Sequence, residues 1–114
     1  MKWSEQQRLF KEMVKTEMEL LVTKGSEYAS DDDALANFKG QAKDVGVSPL
    51  VVLSVLMNKH YRSLQSYIRA GGKTKSNEPI EGRIADLRNY LALMAFLIKD
   101  LEAEKVEKQE VSAE

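Results

Sequence analysis

Residues Ser76–Asp100 read SNEPIEGRIADLRNYLALMAFLIKD, and their periodicity decides the fold. Ile80, Ile84, Leu87, Leu91, Met94 and Ile98 recur at threes and fours. At about 100° per residue they share one side of a helix. Glu78, Gly82, Asp86 and Asn89 form a second stripe, away from that apolar seam: three ligand-type polar groups around a glycine. Asn77 or Glu78 caps this helix, with Pro79 in its first turn, where a missing N–H does no harm. A single amphipathic helix cannot bury its own seam, so the rest of the chain must supply partners.

Three further helices are predicted upstream. Ser48-Pro49 is an N-cap and N1 pair that opens a helix reaching to about Ala70, ahead of Gly71-Gly72. Leu53, Leu56, Met57, Leu64, Tyr67 and Ile68 make its inward face, with His60 inside the same arc and Lys59 beside it. Before it, Ser30-Asp31-Asp32-Asp33 approximates a capping box, and its carboxylates suit the positive end of a helix dipole. That helix runs to Val45, with Leu35, Phe38, Ala42 and Val45 inward, and ends at Gly46. The first helix is expected over Ser4–Lys24, capped by Ser4, with Leu9, Phe10, Met13, Val14, Leu20 and Leu21 on its apolar face. Gly25 either ends it in a left-handed turn or is absorbed at a cost of about 1 kcal/mol. Glu17 stands in the middle of that face, where a carboxylate needs a cation, a metal or water. His60 or Lys59 is placed to counter Glu17 or Asp86 across the bundle.

The expectation is an all-α protein: a compact helical bundle of about four helices, one domain over 1–104, with a charged C-terminal tail at 105–114 that soon frays. Trp3, Leu93 and Phe96 lie outside the main seams, so oligomerisation is expected to complete the core.

Composition narrows the functions. The chain has 114 residues and no cysteine, which excludes disulfides, thiolate nucleophiles and Cys-ligated zinc. Its single histidine excludes a His-rich metal site. Lys plus Arg number 17 against 18 Asp plus Glu, a balance that argues against bulk nucleic-acid binding. No membrane-length apolar run or signal-peptide core occurs, so a cytoplasmic location is expected. The connector Gly71–Asn77, with Arg69 before it and Arg83 after it, carries Lys73 and Lys75 and suits phosphate groups. It also reads as a plain solvated linker. Lys24, Glu27 and Tyr28 cluster at the end of the first helix, where Tyr28 serves a ligand or packs on the core.

Three blocks carry a family likeness: KGSEYASDDDALANFKGQA, VLMNKHYRSLQSYI and EPIEGRIADLRNYLALM. Over about residues 20–100 the chain resembles small phage-encoded all-α proteins near the MazG-like nucleotide pyrophosphohydrolases. The resemblance implies an oligomeric helical bundle acting on or holding nucleotides, in the host cytoplasm if the protein is phage-encoded. In the hydrolytic members, Glu-x-x-Glu/Asp pairs on two helices hold magnesium. Here that role would fall to Glu27, Glu78, Glu81 and Asp86. Glu78 and Glu81 are so spaced, whereas the first helix offers Glu17 and Glu19, two apart, which diverge.

The leading expectation is therefore a binding protein for a nucleotide or nucleotide-derived signal, sequestering it without hydrolysis and using no cofactor. Its ligand residues are Lys24, Tyr28, Lys59, His60, Arg69, Lys73, Lys75, Arg83, Asp86 and Asn89. The alternatives are a magnesium-dependent nucleoside triphosphate pyrophosphohydrolase, and an inhibitor that binds a host protein through Trp3 and Phe96.

Overall fold

The computed structural model describes residues 1–28, 35–73 and 79–113, with side chains described to 23 in the first helix and to 110 in the last. Among the described residues four helices make an all-α bundle: α1 (Trp3–Tyr28), α2 (Ala36–Val45), α3 (Pro49–Arg69) and α4 (Ile80–Ala113). No strand occurs among the described residues.

The turn between α2 and α3 follows its sequence signals. Gly46 takes φ 75°, and the Gly46 and Val47 N–H groups both donate to the Ala42 carbonyl, which closes α2. Ser48 Oγ then accepts from the Leu50 N–H at 3.3 Å, and Pro49 opens α3. At the far end of α3, Gly71 at φ 69° and a bond from the Gly72 N–H to the Tyr67 carbonyl stop the helix. Pro79 stands just before α4, its carbonyl accepting from the Gly82 N–H. The Ser30–Asp33 capping box and the Asn77/Glu78 cap lie outside the described residues.

α3 and α4 pack antiparallel, since Leu53 shares a cluster with Leu97 while His60, further along α3, faces Asp86 and Tyr90, earlier in α4. Leu35 and Phe38, at the start of α2, close that cluster. Leu53 and Leu97 retain no exposed surface, and each such burial stabilises by roughly 1.5–3 kcal/mol. Leu50, Val52, Leu56, Met57, Tyr90, Leu93, Met94 and Leu101 surround them. Lys39 fastens α2 to α4 through Asp100 at 3.1 Å and Glu104 at 3.3 Å. α1 packs on α4.

Several expectations need correction. α1 starts before Ser4, with the Lys2 carbonyl accepting from the Gln6 N–H, and of the two outcomes open at Gly25 the helix takes continuation, to Tyr28. Its apolar face is turned inward only in part: Leu9, Leu20 and Leu21 are half-buried, as is Glu17, while Phe10, Met13 and Val14 are exposed. Val45 and Ile68 also point to solvent, each at the last turn of its helix, beyond the reach of a neighbour. On α4 the buried line is Tyr90, Leu93, Leu97 and Leu101, while Leu91 and Ile98 are exposed. The charged segment from 105 is helical through Ala113 rather than frayed, and is exposed as far as Glu110.

Candidate functional site

Position on two antiparallel helices gathers the polar residues. His60 lies seven residues after Leu53, so it stays on the face that α3 turns to α4. Asp86 precedes Tyr90 by four and Leu97 by eleven, which keeps it on the complementary face. Asp86 is thus in line with the buried seam rather than on a stripe apart from it.

His60 Nδ1 is 3.9 Å from Asp86 Oδ2, within ion-pair range but too long for a hydrogen bond. Their side chains are 11% and 23% exposed. The His60 ring also leans on Tyr90, with centroids 5.2 Å apart and planes at 36°. Arg83, one turn before Asp86, is half-buried, as is Asn89. Arg69, in the last turn of α3, and Lys73 just beyond it are exposed. Because the hairpin reverses between them, Arg69, Lys73 and Arg83 belong to the same end of the molecule.

Of the other expected residues, Lys59 and Glu81 do not join this group. Lys59 is exposed, with its carbonyl accepting from Ser63 Oγ at 3.3 Å, and does not counter Asp86. The side chains of Lys24, Glu27 and Tyr28, and Lys75 and Glu78 entirely, lie outside the described residues. Glu81 is exposed in the first turn of α4, and five residues of helix turn it about 140° away from Asp86. Among the described residues no three His, Asp or Glu side chains are grouped closely enough to hold a metal ion. Of the four carboxylates expected to hold magnesium, Asp86 faces His60 and Glu81 faces solvent, while the Glu27 side chain and Glu78 lie outside the described residues.

Arg88 is the residue that sequence reasoning missed. Its Nε lies 2.5 Å from Glu17 Oε1 on α1, and its Cζ stands 5.0 Å from the centroid of the Phe10 ring. Glu17 is only 14% exposed, and its Oε1 has no hydrogen bond: the guanidinium meets it as a charge, with the N–H directed elsewhere. This contact answers the question that Glu17 poses in the middle of an apolar face. A signal was present, for Arg88 is the one cation between Arg83 and Lys99. A shallow depression lined by Lys15, Met18, Glu19, Val22 and Thr23 lies on α1 and includes none of the polar group.

No family model matches the chain, and no curated protein or solved structure matches it either. No helix among the described residues is long and apolar enough to cross a membrane. What the hairpin end offers chemically is cationic groups that suit an anion and, further along α4, a half-buried amide in Asn89.

Proposed function

We propose that the α3–α4 hairpin end binds a phosphate-bearing small molecule of nucleotide type and holds it without hydrolysis. The observation that carries this reading is the placement of Arg69, Lys73 and Arg83 at one end of the hairpin, with the buried His60 and the half-buried Asp86 and Tyr90 further along it. Cations would grip phosphate, while Asn89 and Asp86 would read base or ribose edges. Facing His60, Asp86 is better suited to binding than to metal-assisted hydrolysis. A kinship with the MazG-like phage proteins, and action in a host cytoplasm by sequestering a nucleotide signal, belong to the same proposal.

Isothermal titration against nucleotides and cyclic dinucleotides is the direct test. Binding to at least one, weakened by Arg83→Ala, is expected; silence across the panel would remove the reading. Pyrophosphate released from a nucleoside triphosphate with magnesium would move the assignment to hydrolysis. Mass spectrometry of small molecules extracted from the purified protein would name the ligand.

The exposure of Trp3 and Phe96 favours a second reading, in which the chain blocks a host protein. A stable partner in a pull-down, with no co-purifying nucleotide, would support it. We also read the molecule as a homo-oligomer, because apolar residues remain outside its core.

A further inference from the structure

α1 is 26 residues long, yet none of its described side chains is fully buried. Trp3, Phe10, Met13, Val14, Met18 and Val22 are all exposed, Trp3 at 72%, Met18 at 67% and Val22 at 71%. At about 100° per residue they cover about half of the helix circumference. α4 meets the side of this band that holds Glu17 and Phe10, where Arg88 lies against both, and leaves Met18 and Val22 uncovered.

The surface area says how large a cover is missing. The chain exposes 8977 Å². A folded monomer of 12.9 kDa exposes roughly 6,300 Å², so the excess is about 2,700 Å². The radius of gyration, 17.6 Å, exceeds the roughly 13 Å of a globular chain of this length in the same way. Part of the excess belongs to the charged end of α4, which projects from the bundle. An obligate dimer covers about 1,000–2,500 Å² on each partner, which the remainder can supply.

Charge points to the occupant. Beside the outer face, Arg8, Lys11 and Lys15 stand against Glu5, Glu12 and Glu19, three exposed charges of each sign. A strongly acidic or basic partner gains nothing from such a flank, whereas a copy of it brings both signs without net repulsion.

We propose that a second copy of this chain covers the outer face of α1, in an isologous dimer centred on Phe10, Val14, Met18 and Val22. The proposal rests on the homo-oligomer reading above and gives it a surface; it stands apart from the ligand reading.

Light scattering on the eluted full-length chain at micromolar concentration should return twice 12.9 kDa. The double variant Met18→Glu/Val22→Glu should elute as a monomer while its far-ultraviolet circular dichroism stays helical, because neither side chain is packed within one chain. Val55→Glu, exposed on α3, should keep the dimer mass. Trp3 is the single tryptophan, so its emission provides a second readout on the unaltered protein: it should shift to the red on dilution, at the concentration where the mass halves. A monomeric wild type, a double variant that still dimerises, or a monomer that captures a different protein through this face would each overturn the proposal. A failed nucleotide titration would leave the mass unchanged, so the two readings fall separately.

Discussion

α1 and α2 make unequal use of their lengths. α2 spans ten residues, yet with Leu35 just before it contributes three of the five buried hydrophobics, Leu35, Phe38 and Ala42. α1 spans 26 residues and contributes none among its described side chains. Both are amphipathic, and the difference lies in what each one meets. α2 lands at the end of the hairpin where Leu53 and Leu97 already face each other, so its side chains enter a site walled on several sides. α1 lies along α4, touches it through a charged and aromatic contact, and has open space on its other flank. A helix contributes to stability by where its apolar residues converge with others, and its periodicity does not set that.

The largest effect is expected on the α2 side. Phe38→Ala should lower unfolding stability by about 3–5 kcal/mol in urea titrations, because the ring it removes is buried among Leu35, Leu53 and Leu97. A loss under 1 kcal/mol would mean that α2 matters no more than α1 does. Arg88→Ala should cost about 1–3 kcal/mol, since it strands the sheltered Glu17 carboxylate. Adding Glu17→Gln should recover part of that loss, and a double-mutant cycle measures how much. If the two changes are additive, α1 is not held by this pair. Lys39→Ala should matter least, at under about 1 kcal/mol, because Asp100 and Glu104 are about half exposed and water screens them. The effect should shrink in added salt; a salt-independent loss as large as that of Phe38→Ala would show charge, not packing, holding α2.

Punctuation was the most legible part of the chain. Ser48-Pro49 and Gly46 marked α3 and the end of α2 because each acts through its own backbone chemistry, independent of tertiary contacts. Leu53, Phe38 and Ala42 were also legible, since each lies on a face with a clear polar opposite. α4 was harder. Between Ile84 and Ile98 it is apolar over most of its circumference, so two faces fit the period equally well and docking on α3 selects Tyr90, Leu93 and Leu97. That selection also moved Asp86 from a separate stripe into the seam. The expected pairing of His60 with Asp86 was among the options left open, and the structure brings them to 3.9 Å. Arg88 escaped notice because its partners are on α1, and no local spacing links residues so far apart.

The reach of that Arg88 contact sets an order of folding events. Lys39 and Asp100 are 61 residues apart along the chain, and Glu17 and Arg88 are further apart still. The α3–α4 hairpin closes across one short connector, so it can form before either long loop is drawn shut. α2 then gains a preformed cleft, whereas α1 has the longest loop to close and the smallest apolar return. Pulse-labelled hydrogen exchange should show α3 and α4 amides protected first and α1 amides last. Early protection of α1, ahead of the hairpin, would reverse that order.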